Sequence, residues 1–370
     1  MLDMLAVLES VPDPRDPKKI HHPLTNLLFM SLCSVCSGAD TWEDMVTWCE
    51  LNQDWLKKYI DLTAGIPSYS TFRRLFSLIP PEHFQTLLRE MIQMHHPSLS
   101  TEDQIAIDGK TLRGSRCQSK HIKPIQMVSA WSVANQLTLA EQVTESKTSE
   151  LRTIPLLLSQ LNIEGTTITV DAIGCHNSVV DAILAGKAHY VIGLKKNQPK
   201  LFQQVEAFAH EYTTQLEHLI KDGFDDLHGR LVRRRYFACQ LPEAICLSGP
   251  TAMQTLIAVE TISNQGSSRK AVAHWRYYIT DLPASGGPVL ANYIRSHWQI
   301  ESYHWLLDVH LNDDHDKKYT ENAAENFARI KRLLLNILKS KPVQGKRISI
   351  RSRLKRIAWD KDYLVDVLFS

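Results

Sequence analysis

Three acids carry the chemistry that this sequence offers. Asp108 closes the apolar run IAID and Asp171 closes ITVD, and each is followed by a glycine within three residues. In sheets with crossover helices, the carboxyl ends of strands are where ligands and reactive groups collect. A single strand-end aspartate is commonly a turn or cap residue. Two of them on strands lying side by side are different, because their charges repel unless a divalent cation sits between them. The third acid, Glu301, lies in HWQIESYHWLLDV. At about 100° per residue it shares a helix face with His297, His304, Trp305 and Asp308. That helix buries Ile300, Leu306 and Leu307, Trp298 and Trp305 read as packing residues, and a charge held among aromatics is costly unless it has a partner. His297 and His304 do not have HExxH zinc spacing and read as core or hydrogen-bonded histidines.

Basic residues flank the places where the acids emerge. Lys110 and Arg113 follow Asp108, and Lys195 and Lys196 follow HYVIGL. They are positioned to hold a phosphodiester while carboxylates carry metal. HGR, ending in Arg230, precedes Arg233, Arg234 and Arg235, a run that also suits a solvated edge. Between Asn326 and Trp359 there are eleven Lys or Arg and no acid, a pattern that favours a polyanion. In this tract Arg351, Arg353, Lys355 and Arg356 are expected to contact DNA backbone from a flexible arm, broken by Pro342 and Gly345. The opposing reading is an end that packs through Leu354, Ile357 and Trp359.

The elements that must position these groups follow from periodicity. Residues 1–100 form an N-terminal helical domain, with apolar residues at three- and four-residue intervals. Ser70 is expected to cap TFRRLFSLI, which presents Arg73 and Arg74 for possible DNA contact. From residue 104, QIAIDG, PIQMVSAWSV and LTLAEQVT read as three sequential strands. Helix SELRTIPLLLSQLNI, strand TTITVD, helix NSVVDAILAGK and strand HYVIGLK follow, which predicts crossovers and a mixed sheet flanked by helices. The pattern loosens over about 201–280, where LVRRRYFACQL, LIAVETIS and AHWRYYITDL are strand candidates, the last two too apolar to stand apart from the central sheet. One long helix, VLANYIRSHWQIESYHWLLDVHL, and a second, ENAAENFARIKRLLLNILKS, complete a catalytic domain over 101–338, leaving a basic tail over 339–370.

With 370 residues, 44% hydrophobic and 22% charged, the chain has ample material for two or three domains, and a net charge of +2 decides little. Seven scattered cysteines exclude a secreted disulfide scaffold, and CSVC at 33–36 lies in an apolar run as buried packing. With neither signal-peptide order nor an apolar span of membrane length, a cytoplasmic protein without a membrane partner is expected.

The chain resembles ISAs1-type insertion-sequence transposases, the group that includes bacterial H-repeat-associated proteins. The stretches that carry this are IAIDGKTLRGS, KTSELRTIPLLLSQLNI, TVDAIGCH, YVIGLKKNQ, HGR and HWQIESYHWLLDVHLNDD, in the family's order over nearly the whole chain, with the helical start through GIPSYSTF. The resemblance implies an α/β, RNase H-like mixed-sheet core with an N-terminal helical domain and a β-rich insertion. It places a DDE triad on Asp108, Asp171 and Glu301, as catalytic residues and as ligands of two Mg²⁺ ions, with Mn²⁺ as a substitute. It also implies double-stranded DNA as partner (transposon ends and target), self-association on DNA, and transfer of a 3′-OH end. Ser149, His176, His310 and Asn312 depart from the family pattern and leave the triad intact. Two rivals remain: a catalytically decayed DNA-binding descendant, separated by a Mg²⁺-dependent nick, and a related metal-dependent nuclease, separated by strand transfer.

Overall fold

The computed structural model describes residues 2–95, 102–144, 149–213, 218–227, 230–263, 272–340 and 348–369. Helices come first: α1 (Leu2–Glu9), α2 (Leu24–Cys36), α3 (Trp42–Leu51), α4 (Gln53–Leu56), α5 (Tyr69–Leu78) and α6 (Pro81–His95). Every residue of α2 except Thr25 is buried, as an all-round apolar helix requires, and Cys33 and Cys36 pack within it. The cap of α5 is Ser68 rather than Ser70: the Ser68 hydroxyl accepts from the Thr71 N–H, and Ser70 falls inside the first turn. Arg73 and Arg74 are exposed on α5.

The sheet begins with β1 (Gln104–Leu112), β2 (Ile125–Ser132) and β3 (Leu137–Thr144), each antiparallel to the last. After α7 (Glu150–Leu158), β4 (Thr167–Val170) pairs parallel with β1. After α8 (Asn177–Ala185), β5 (His189–Leu194) pairs parallel with β4. The order β3-β2-β1-β4-β5, with crossover helices before β4 and β5, is an RNase H-like core.

The looser region opens with a helix the sequence pattern had hidden, α9 (Pro199–Tyr212). It continues through β6 (Leu219–Leu227), β7 (Arg230–Gln240), the short α10 (Glu243–Cys246), β8 (Thr255–Ser263) and β9 (Val272–Thr280). Strand β6, LIKDGFDDL, escaped notice because its charges mask alternation. β9 joins β5 antiparallel, so the insertion extends the core into one nine-stranded sheet. Beyond it the expected long helix is two, α11 (Pro288–His297) and α12 (Gln299–Leu311), joined at Trp298. The last helices are α13 (Ala323–Ser340), α14 (Ile350–Trp359) and α15 (Lys361–Phe369).

Where a flexible basic arm is expected, the described residues 350–359 and 361–369 are helical, and Pro342 and Gly345 lie outside the described residues. Ile357, Leu364, Val367 and Leu368 of α14 and α15 are buried in the same apolar core as α2, so the chain's end closes the N-terminal helical layer. Trp359, which the opposing reading packs, is exposed, because it falls on the outer face of α14. Much of the basic tract is also internal. Arg332 is fully buried between Glu141 (2.5 Å) and Asp313 (3.1 Å), Lys331 pairs with Asp316 at 2.9 Å, and Arg329 with Glu325 at 2.7 Å. The Arg332 and Lys331 pairs dock α13 onto the acid-bearing loop after α12 and onto β3, while the Arg329 pair lies within α13 itself. Among the described residues no helix is long and apolar enough to cross a membrane.

Candidate active site

Strand pleating decides which acids meet. Ile105 and Ile107 of β1 face the core under α7 and α8, while Ala106 faces the core under α12 with Ile300, Tyr303 and Leu307. Asp108 has the parity of Ala106, so it is delivered toward α12. On β4, Val170 faces the α7–α8 core, and Thr169 turns the other way to bond His297 (Oγ1 to Nδ1, 2.9 Å). Asp171 shares the parity of Thr169. Ile107 pairs with Val170, so the two aspartates occupy matched positions one residue further on. On β5, Val191 and Gly193 have the same facing and Lys195 follows them. Asp108, Asp171, Glu301, Lys195, Lys196, His297 and Trp298 all line one pocket of about 530 Å³, with an aromatic wall from Trp275, Tyr277 and Tyr278.

Local chemistry holds the strand ends. The Asp171 carboxylate accepts from Ile173 N–H at 2.9 Å, which fixes its turn. Asn197 donates to the Ala172 carbonyl (2.7 Å) and Gln198 to that of Cys175 (2.8 Å), so KKNQ ties the loop after β5 to the loop after β4. A Cβ at Gly193 would come within 3.1 Å of Ala172 N, a close backbone approach that favours glycine. His176 caps α8 through Nδ1, accepting from Ser178 N–H, so this departure from the family pattern has a structural use. Asn312 has another: it ends α12 at φ 50°, in the left-handed region that asparagine tolerates.

Burial raises the Asp108 carboxyl to about 7, against a pull downward from the Gly109 N–H, and the charges of Asp171, Glu150 and Glu301 push it further up. His304 Nδ1 lies 3.6 Å from Asp108, and burial holds that imidazole down at about 3, helped by Arg332 and Lys110. His297 is likewise held at about 4 by burial. Both are neutral near pH 7, and neither adds positive charge to the site. Lys195, 3.8 Å from Asp171, does. Hard oxygen donors with excess negative charge fit a divalent cation in kind. Yet among the described residues no three His, Cys, Asp or Glu side chains stand close enough to hold one together. Glu301 is exposed on α12 rather than enclosed among aromatics, and Trp305, expected to pack, is also exposed.

The basic residues separate into two groups. Lys195 and Lys196 are exposed at the pocket rim, Arg113 is exposed near Asp314, and Arg351, Lys355 and Arg356 are exposed on α14. Lys110 is buried instead. Its ammonium donates to Asp308 (2.6 Å) and Asp314 (3.0 Å), because its parity points it under α12, where those acids claim it. Arg353 is buried too and donates to the Leu338 carbonyl. The reading of Lys110 and Arg353 as phosphate contacts is therefore withdrawn. Arg230 opens β7, and its side chain lies outside the described residues. Sequence reasoning passed over Glu150, the first residue of α7, buried over β1 so that a Cβ on Gly109 would meet its Oε1 at 2.7 Å. An acid opening a helix is too common a signal to single out.

A family model described as "Transposase DDE domain" matches residues 99–337, and one described as "DDE_Tnp_1-associated" matches residues 5–92. The chain belongs to the DDE transposase family. Within it stand the H-repeat-associated relatives, including "H repeat-associated putative transposase YhhI" of Escherichia coli K12, 33% identical over 99% of this chain and 97% of its own. "Putative transposase YncI" of Escherichia coli O157:H7 is 33% identical over 100% of this chain and 94% of its own. A cryo-EM structure of piggyBac transposase in a synaptic complex with hairpin DNA aligns with 100% of this chain and 80% of its own. Its TM-score is 0.47 at 10% identity, too distant to bear on individual residues.

Proposed function

We propose that the chain is a DNA transposase in which Asp108, Asp171 and Glu301 form the centre for phosphodiester cleavage and transfer of a DNA 3′ end. The observation that carries this reading is the pair of aspartates at matched positions on adjacent parallel strands, turned to the same face beneath the helix of Glu301. Membership of the DDE family supports it. Divalent cations, Mg²⁺ or Mn²⁺ in its place, would supply Lewis acidity there when bound, lowering the pKa of an attacking hydroxyl and stabilising the leaving oxygen. The residues to hold them are the three acids, with Asp108 giving up its proton in the process. Lys195 and Lys196 at the rim orient the phosphate, and the aromatic wall limits water around the bond to be broken. Because two transposon ends have to be joined, self-association on DNA is part of this proposal, with a cytoplasmic, nucleoid-associated location.

The test is an in vitro reaction with Mg²⁺ and a duplex carrying the element's terminal repeats in flanking DNA. Nicks at the repeat ends and joining of a labelled 3′ end to target DNA are expected. Asp108→Asn, Asp171→Asn and Glu301→Gln should each reduce both products at least about a thousandfold, roughly 4 kcal/mol in activation free energy. Their DNA binding should survive. Wild-type binding without cleavage in any divalent cation favours the non-catalytic descendant, and cleavage without joining favours a nuclease.

A further inference from the structure

The run Arg233–Arg235 is divided by the pleat of β7. Arg233 pairs with Asp222 and Arg235 with Glu260, each at 2.5 Å, on one face of the sheet. Arg234 takes the opposite facing, with Tyr236, which packs in the apolar cluster under α11. The register across β8 and β9 puts Thr261 and His274 in line with Arg234, and Val259 and Arg276 in line with Tyr236. Arg276 is exposed and lies 5.4 Å from the Trp298 ring centroid. Arg295 reaches the same groove from α11. Among the described residues, three arginines thus line this groove. Arg276, Tyr278, Ile294 and Trp298 line both this groove and the pocket of the three acids, so the two are continuous.

We infer that Arg234, Arg276 and Arg295 form a track for the sugar-phosphate backbone of duplex DNA running from the acid pocket across β9, β8 and β7. This rests on the reading of the pocket as a DNA-cleaving centre. Guanidinium groups take phosphate oxygens in paired hydrogen bonds, and an aromatic face beneath Arg276 keeps its plane fixed. Strands β9 and β7 lie two ladder spacings apart, roughly 10 Å. That is about the axial rise of three nucleotides along one strand of duplex DNA, at about 3.4 Å each. A substrate laid this way enters the pocket past Trp298 and leaves along the insertion. It gives the nine-stranded sheet a use that a five-stranded core lacks.

The experiment measures affinity for a mixed-sequence duplex over a salt series, for the wild-type chain and for R234Q/R276Q/R295Q. Each phosphate contact adds roughly 0.9 to the slope of log affinity against log salt, so the triple variant should lose about 2.7 of slope and bind more weakly at low salt. If the triple variant does not fold, R234Q and R295Q singly carry the same test, each losing about 0.9. A folded variant with wild-type affinity and slope overturns the track while leaving the cleavage reading standing. So does a slope that stays put while sedimentation shows a lost dimer, since the groove would then join copies of the chain. A wild-type chain that binds no duplex and nicks no repeat end overturns both.

Discussion

Asp108 is the residue on which the site's electrostatics turn. Its carboxyl titrates at about 7 in the folded chain against an ordinary value of 3.8, so between those values the folded state keeps a proton that the unfolded chain has released. The stability tied to this group is therefore full below pH 4 and falls as pH rises through 7, the reverse of a salt-bridged aspartate. Asp108→Asn cannot ionise and lacks that slope. In cation-free buffer, the Tm of the variant minus that of the wild type should grow from pH 4 to pH 8, and Mg²⁺ should shrink the pH 8 difference by binding the ionised carboxylate. A difference that is flat with pH would show that burial does not perturb Asp108 in solution.

At the scale of elements, two glycines in IDGKTLRGS and one arginine in α13 make separable predictions. A Cβ at Gly109 meets the mobile end of the Glu150 side chain, whereas a Cβ at Gly114 would lie 2.6 Å from backbone atoms of Asp316. Backbone cannot step aside as a carboxylate does. Gly114→Ala should therefore cost about 1–3 kcal/mol in urea denaturation, and Gly109→Ala less. Equal losses would mean that the β1 end and the loop after α12 are not packed this tightly. Arg332 is the sharper case. Arg332→Met leaves Glu141 and Asp313 buried without their cation, and a loss of about 3–5 kcal/mol is expected. A cost below about 1 kcal/mol, typical of an exposed pair, would refute that burial.

For the whole molecule, the last two helices tie the chain's end to its beginning. Deleting residues 349–370 strips Ile357, Leu364, Val367 and Leu368 from the core around α2. Limited proteolysis should then cut within residues 2–95 while the nine-stranded sheet resists. A truncated chain as protease-resistant as the full one would show that the helical layer stands alone. The exposed basic residues of α14 are a separate matter. R351Q/K355Q changes two exposed side chains and spares Arg356, whose guanidinium lies 4.1 Å from the ring centroid of buried Tyr363, so Tm should hold. If the two side chains meet phosphates, the salt slope should fall by about 0.9 for each. An unchanged slope leaves α14 a structural helix only.

Local pattern was enough for the parts of this protein whose cause is local. Strand-like runs marked β1 to β5, β7, β8 and β9, apolar runs into aspartate marked Asp108 and Asp171, and the ordered motifs pointed to the DDE family before any contact was known. Where signals were not local, the chain was silent. Strand β6 hides its alternation under charges, α9 looked like a loosening of the sheet, and nothing near Trp298 announces that one helical pattern is two helices. Charge was the least legible feature, because a lysine reads the same whether solvent or a carboxylate from elsewhere in the chain is its partner. Lys110, Lys331, Arg332 and Arg353 read as a basic surface and are buried, their partners supplied by segments up to 204 residues away, as with Lys110 and Asp314. Composition and spacing determine which groups exist and which element carries them. Facing, register and distant pairing decide which of those groups meet, and they emerge only when the sheet's two faces are covered by different helices.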